Sequence, residues 1–201
     1  MRPTGEAAKM TLRIEPLTPE RWPAFEELMG RAGPCSRCWC MYWRVGPSYR
    51  RQTGEANRKA LHTIACDGPP PGLVAFHKQL AVGWCQLTPR EALPWLDNTK
   101  KLQRIDDAAV WSISCFFIRQ GWRRRGVATA LTHAAIDAAR HAGAPALEAY
   151  PLDAAQSSST SFTGYASTFQ RAGFRIVARH TEARPMMRIE FGARKRRSSV
   201  Q

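Results

Sequence analysis

The apolar run AVWSISCFFI, residues 109–118, is followed two residues later by the basic turn GWRRRG and then by a segment with helical spacing. Its length and its aromatic and β-branched residues predict a central strand. The segment from Arg125 to Ala142 predicts a helix that Gly143 ends. Its apolar residues predict one buried stripe, formed by Val127, Leu131, Ala134, Ala135, Ala138 and Ala142. Ile136 lies outside the stripe, which indicates that the far side is also partly covered.

The rest of the chain alternates between segments with strand and helix character in the order β-α-α-β-β-β-α-β-α-β-β. The first strand is predicted at Thr11–Leu17, and the helix after it ends at Gly33 and Pro34. A hairpin turns near Lys78–Gln79, and a short helix ends at Gly173. Such an alternation predicts one mixed α/β domain, which we place at residues 1–193, followed by a basic, disordered tail at 194–201.

Composition narrows the classes of partner. The chain has 201 residues and a formal net charge of +14, which indicates an anionic partner such as nucleic acid or a phosphorylated small molecule. It has no run of 18 apolar residues and no apolar secretion signal, so we predict a cytoplasmic protein without a membrane partner. Its 6 cysteines are then expected to be reduced.

The three arginines of the basic turn stand where the predicted helix begins. Unpaired N–H groups and the helix dipole make that end an anion site, and pyrophosphate is a natural ligand for it. Gly126 and Ala128 leave the backbone accessible. Arginines beside the positive end of a dipole are unfavourable unless an anion lies between them. The sequence therefore favours a phosphate site, with a solvated basic surface as the alternative.

The stretch from Arg123 to Ala128 resembles the acyl-CoA motif Q/R-x-x-G-x-G/A of the GNAT superfamily, the GCN5-related N-acetyltransferases. The later FQRAGF is similar to a second family motif. The resemblance implies a mostly antiparallel sheet flanked by helices and an acetyl-CoA-dependent N-acetyltransferase. It also implies that the backbone of Phe116, Phe117 and Ile118 binds pantetheine. The implied contacts to pyrophosphate come from Arg123, Arg124, Arg125, Gly126, Val127, Ala128 and Thr129.

The family's usual catalytic groups are not matched. Phe169 stands where the resembled family often has a tyrosine that acts as the general acid. Ser112 stands where the family often has a glutamate that acts as the base. Tyr150 and Tyr165 are the candidate replacements for the acid. The candidate bases are Asp106, Asp107 and Glu148. The alternative is that these residues are solvated carboxylates on the surface. The alternative is an acyl-CoA-binding protein with weakened catalysis.

The segment CSRCWCMYW combines three cysteines with aromatic residues. A structural zinc site needs four ligands, and the sequence offers no second matching pair, so we predict no metal. In the resembled family this region borders the acceptor. Trp39, Tyr42 and Trp43 are therefore expected to form an apolar wall for the amine of a small molecule. A nucleic-acid-binding module is the less favoured alternative, because no familiar motif appears; the oligomeric state, including a homodimer, stays open.

Overall fold

A computed structural model describes residues 11–30, 35–153 and 162–192, and the predicted tail at 194–201 lies outside them. The strands are β1 (Arg13–Pro16), β2 (Gly72–His77), β3 (Leu80–Pro89), β4 (Trp111–Ile118), β5 (Ala146–Ala149), β6 (Arg175–Thr181) and β7 (Arg184–Glu190). The α-helices are α1 (Trp22–Met29), α2 (Tyr42–Val45), α3 (Gly54–Asp67), α4 (Val127–His141) and α5 (Ala166–Arg171). None of the described helices is long and apolar enough to cross a membrane.

The strands form one sheet in the order β1-β2-β3-β4-β5-β7-β6. Strands β4 and β5 pair in parallel, and the other neighbouring strands pair antiparallel. Helix α4 connects the two parallel strands, as a parallel crossover requires. The mixed, mostly antiparallel sheet flanked by helices is therefore confirmed.

A bulge interrupts β4 in the middle of the sheet. On β3, Gln86 lies opposite Cys115 and Leu87 lies opposite Ile113, so Ser114 is the extra residue. The parallel pairing of β4 with β5 covers residues 111–113 and stops there. Beyond this point the Phe116 N–H donates to the carbonyl oxygen of Phe162, in the segment before α5. The two strands thus separate just after the bulge.

Each face of the sheet has its own apolar core. On one face, α4 and α5 cover a cluster that contains Phe116, Leu131 and Phe169. On the other face, α1 and α3 cover a cluster rich in aromatic residues, including Phe25 and Trp84. A smaller cluster joins Tyr150 and Met186 to three leucines of the β3–β4 connection, Leu93, Leu96 and Leu102.

Several predicted boundaries need correction. Helix α1 ends at Met29, because Gly30 leaves helical geometry with φ 70°, and does not continue to Gly33. Ala142, which the sequence predicts in the buried stripe, is exposed, whereas Ile136 is buried on the far side of α4, which agrees with partial covering of that side. The helix is covered around more of its circumference than one stripe, and Ala142 already caps its C-terminus. The hairpin turn at Lys78–Gln79 is confirmed.

Candidate active site

The turn between β4 and α4 has an unusual backbone. Arg124 has φ 60° and Gly126 has φ 81°, whereas Arg125 between them is not in this left-handed region. Alternation of this kind directs successive N–H groups toward one side and forms a concave site for anions. A Cβ added at Gly126 would meet no atom within 4 Å, so its conformation, not crowding, favours glycine there.

The start of α4 adds further donors to this turn. Gly126 is the N-cap, it provides no side-chain cap, and the first turn contains no acidic residue. Arg123, Arg124 and Arg125 are all exposed. Arg123 Nε donates to the Ile118 carbonyl oxygen at 3.4 Å, and Arg125 lies 5.7 Å from the Trp122 ring centroid. Backbone donors and cations therefore converge at the point where the sequence predicts pyrophosphate.

The predicted pantetheine strand opens onto the gap between β4 and β5. Phe116 is buried, whereas Phe117 and Ile118 are half-buried. The Phe116 N–H is already bonded to the carbonyl oxygen of Phe162. A ligand that used this N–H would have to displace that carbonyl. The Phe162 segment therefore lies across the entrance that the predicted ligand would use.

The cysteine-containing loop is attached directly to the bulge. The indole N–H of Trp84 donates to Cys40 Sγ at 3.2 Å, and the Gln86 amide donates to the Cys40 carbonyl oxygen at 3.0 Å. Ser114 Oγ donates to the Gln86 side-chain oxygen at 2.8 Å. The Trp43 indole N–H donates to the Ser114 carbonyl oxygen at 3.1 Å. These bonds hold the aromatic residues of the loop beside the centre of the sheet.

The predicted aromatic wall is only partly formed by the predicted residues. Trp39 is 3% exposed and stacks on Trp22 in the core, so its ring does not line an open surface. Tyr42 packs edge-to-face against Trp43 at 4.6 Å and against Tyr49 at 5.6 Å. Tyr49, which the sequence analysis missed, therefore joins Tyr42 and Trp43 in a half-buried aromatic group.

The two candidate tyrosines have opposite environments. The Tyr150 hydroxyl is buried, donates to Glu148 Oε2 at 2.9 Å and accepts from Arg90 Nη1 at 2.7 Å. Burial, reinforced by Glu148, raises the pKa of Tyr150 well above its usual value. Tyr165 is 45% exposed, and its hydroxyl makes no hydrogen bond to the residues that the structure describes. Only Tyr165 is accessible to a ligand in this state.

The carboxylates named as candidate bases differ in the same way. Glu148 is 1% exposed and lies between Arg90 and Arg188, at 2.9 and 2.7 Å. Asp106 contacts Arg188 at 2.6 Å, and this hydrogen bond lowers the pKa of Asp106. Both carboxylates therefore act as partners of arginines within the fold. Asp107 is exposed.

Phe169 and Ser112, which occupy the usual catalytic positions of the resembled family, are both buried within the fold. Phe169 is fully buried and packs against Phe116 and Phe174. Ser112 is also fully buried, and its hydroxyl shares a 2.8 Å hydrogen bond with Tyr150. Neither position places an ionisable group beside the gap between the strands.

The cysteines are free thiols. Burial raises the pKa of Cys38 to about 11, and a hydrogen bond with Cys115, together with burial, raises the pKa of Cys40. In the part of the chain that the structure describes, no three His, Cys, Asp or Glu side chains are grouped to hold a metal ion. The expectation of a metal-free loop remains a prediction.

Arg184 is a further residue that the sequence analysis did not identify. Its Nη1 donates to the Tyr150 carbonyl oxygen and, at 2.8 Å, to Thr163 Oγ1. Thr163 follows Phe162, so this arginine holds the segment that crosses the gap. No local pattern marks it, because its partners are 34 and 21 residues away in the sequence.

Comparison with known proteins connects this geometry to one family. Residues 38–162 match the sequence model of the acetyltransferase (GNAT) family. This range begins within the cysteine loop, at Cys38, contains β4, the basic turn and α4, and ends before the FQRAGF segment. No curated protein sequence matches the chain.

Solved structures show the same fold at low sequence identity. PaiA N-acetyltransferase from Thermoplasma acidophilum, in complex with coenzyme A, is 11% identical with a TM-score of 0.55, over 90% of this chain and 100% of that one. A GCN5-related N-acetyltransferase from Kribbella flavida is 18% identical with a TM-score of 0.55, over 90% and 98%. A Drosophila melanogaster polyamine N acetyltransferase is 10% identical with a TM-score of 0.57, over 90% and 100%.

Proposed function

Because this chain belongs to the acetyltransferase (GNAT) family, we propose that it transfers the acetyl group of acetyl-CoA to an amine of a small molecule. The observation that carries the proposal is the path from the bulge in β4, along the part of its edge that β5 leaves unpaired, to the turn at Gly126. This path offers a strand edge to an extended arm and a ring of N–H groups to a diphosphate.

In this proposal the pyrophosphate of CoA lies against the backbone of residues 124–129, with Arg123, Arg124 and Arg125 around it. The pantetheine arm follows the backbone of Phe116, Phe117 and Ile118 and replaces the Phe162 carbonyl at the Phe116 N–H. The thioester would then lie near the bulge, beside the attached aromatic loop. The coenzyme A complex of the Thermoplasma acidophilum enzyme supports the choice of acyl donor.

The transfer itself is a single substitution at the acetyl carbonyl. A neutral amine attacks the carbonyl carbon, the C–N bond forms, and the C–S bond breaks with its electron pair on sulfur. The amine loses a proton, and the CoA thiolate takes one up. Tyr165 is the proposed proton donor to the thiolate, since its hydroxyl is accessible and unbonded within the described residues. Positioning in a desolvated gap supplies the rest of the rate enhancement.

Tyr42 and Trp43 are the proposed wall of the acceptor site, together with Tyr49. They are half-buried, contact one another, and are fixed to the bulge through the Trp43 indole. Such a group suits a compact acceptor with an apolar or flat part. Acetyltransferases of polyamines and of agmatine share this fold, which supports an amine acceptor of small size.

A thioester turnover assay with a panel of small amines tests the proposal. We expect amine-dependent release of CoA from acetyl-CoA, with the acetylated amine detected by mass spectrometry. The second candidate, an acyl-CoA-binding protein with weakened catalysis, is favoured by the nonionisable Phe169 and by the buried Ser112. It predicts that CoA raises the melting temperature while no amine accelerates thioester turnover. Absence of both effects contradicts both candidates.

A further inference from the structure

Arg184 lies at the end of β7, next to the aromatic wall. Alternation along the strand places it on the same face as Met186, which packs with Trp43 and Tyr150. It is half-buried, and burial lowers the pKa of its guanidinium, an effect that the nearby Tyr42 phenol opposes. A cation is therefore held partly out of water beside the proposed acceptor site.

Arg184 has no carboxylate partner among the described residues. Seven of the arginines that the structure describes are buried or half-buried, and all but Arg44 and Arg184 contact a carboxylate. The partners of Arg90 and Arg188 illustrate the rule, since each of these arginines is paired with Glu148. The segment 154–161, which follows β5, contains no Asp or Glu. A half-buried cation without a counterion is costly, so an external anion is the natural partner.

The free edge of the Arg184 guanidinium has the right shape for such an anion. Both of its hydrogen bonds use Nη1, so Nε and Nη2 have no partner among the described residues. Nε of Arg44 is inaccessible to solvent and has no hydrogen-bond partner. Nε and Nη2 of Arg184 are not among the solvent-inaccessible atoms without a partner. Nε and Nη2 together form the side of a guanidinium that binds a carboxylate through two parallel hydrogen bonds. Arg184 is thus open to a ligand, and Arg44 is not.

The geometry points to an acceptor that carries a carboxylate as well as the amine, in the manner of an amino acid, with the carboxylate held by Nε and Nη2 of Arg184. This inference rests on the proposed acetyl transfer and names its class of acceptor. Thr163 and the Tyr150 carbonyl hold Nη1, so the free edge is fixed before the ligand arrives.

The test compares matched acceptors that differ only in the carboxylate. An aromatic amino acid, its carboxamide and its decarboxylated amine are assayed with acetyl-CoA. We expect kcat/KM for the amino acid to exceed that for the other two by about tenfold or more, as charge-assisted bidentate hydrogen bonds give. Arg184→Met should remove this preference, so that the ratio of kcat/KM for the amino acid to kcat/KM for the decarboxylated amine falls by about the same factor.

Two further variants guard against a folding effect. Arg184→Lys keeps the charge but loses the two-pronged edge, so it should retain only part of the preference. Arg175→Met removes an exposed arginine from the same hairpin and should not change kcat/KM for the amino acid or for the decarboxylated amine. Binding of the N-acetylated amino acid, measured by calorimetry in the presence of CoA, reports on the Arg184 site without turnover.

The outcomes separate this inference from the proposed function. Acetyl transfer with equal or better use of the decarboxylated amine or of agmatine contradicts the inference and leaves the proposed function intact. The same holds if Arg184→Met folds, binds CoA and keeps the wild-type ratio. If no amine is acetylated, binding of the N-acetyl amino acid that Arg184→Met abolishes still supports the carboxylate site. Absence of both acetyl transfer and Arg184-dependent binding of the N-acetyl amino acid contradicts the inference.

Discussion

The indole N–H of Trp43 donates to the carbonyl oxygen of Ser114 at 3.1 Å. Ser114 is the extra residue of the bulge in β4, and Trp43 belongs to the aromatic loop. One hydrogen bond therefore connects the proposed acceptor wall to the strand that is proposed to bind the acyl donor. A substitution in the loop that removes this bond should therefore also affect the bulge.

Replacing Trp43 by phenylalanine tests this connection. The variant keeps an aromatic ring but removes the donor to Ser114. We expect the free energy of unfolding to fall by about 1–3 kcal/mol, because the carbonyl of the buried Ser114 loses its partner. KM for the acceptor should rise more than KM for acetyl-CoA. Trp111→Phe, at the start of β4, should destabilise the protein through lost packing without this selective rise.

Tyr165→Phe and Tyr150→Phe separate a proton donor from a structural hydroxyl. Tyr165→Phe should lower kcat by about a hundredfold, the usual contribution of a general acid, with little effect on stability. Tyr150→Phe should lower the free energy of unfolding by about 1–3 kcal/mol, since it removes a buried donor to Glu148. Equal kcat values for Tyr165→Phe and wild type would remove Tyr165 from the mechanism.

The arginines of the basic turn should make CoA binding sensitive to salt. They are exposed, so each ion pair with phosphate is screened and modest in strength. Arg124→Ala should weaken CoA binding by about two- to fivefold, because the backbone donors remain. It should also flatten the dependence of Kd on ionic strength. Arg171→Ala, which removes an exposed arginine from α5, serves as the control and should leave both unchanged.

Acid should destabilise the fold through Asp106. The hydrogen bond from Arg188 lowers the pKa of this carboxylate, so it is charged in the folded state at pH values where the unfolded chain is protonated. Its stabilisation is therefore complete above the unfolded pKa of about 3.9 and disappears as the pH falls through the lower folded value.

Asp106→Asn should lower the melting temperature at pH 7, by the equivalent of about 1 kcal/mol or less, because the carboxylate is partly exposed. The difference from wild type should shrink as the pH falls below about 4. The adjacent exposed residue gives the matched control, since Asp107→Asn should leave the melting temperature at pH 7 close to that of wild type. A constant difference between Asp106→Asn and wild type down to pH 2 would show that the ion pair is not its source.

Local patterns in the sequence were sufficient for β4, the basic turn and α4. The composition of the strand, the glycine before the helix and the apolar stripe of the helix each involve only a few neighbouring residues. They can therefore be recognised in the sequence. The position of Ile136 outside the stripe indicates that a second side of α4 is covered, but which elements pack there depends on the tertiary structure.

Long-range contacts set the rest of the site. The bond from Trp43 to Ser114 joins residues 71 positions apart, and the bulge that contains Ser114 has no marker in the sequence. Trp39 could not be separated from Trp43 by composition. Its left-handed φ of 46°, followed by 56° at Cys40, turns the chain so that its ring enters the core.

Calorimetric titration with CoA at low salt, using wild type, Gly126→Val and Gly143→Val, shows whether the turn at Gly126 binds CoA. Both glycines belong to α4 ends, have φ near 80° and would place a Cβ in open space, so the backbone cost of substitution is similar. Only Gly126 lies at the proposed pyrophosphate site. We expect that wild type and Gly143→Val bind CoA and that folded Gly126→Val does not. At about a hundredfold excess over Kd, binding should also add about 2.7 kcal/mol to wild-type stability. Absence of CoA binding by wild type, or full binding by folded Gly126→Val, would contradict the account.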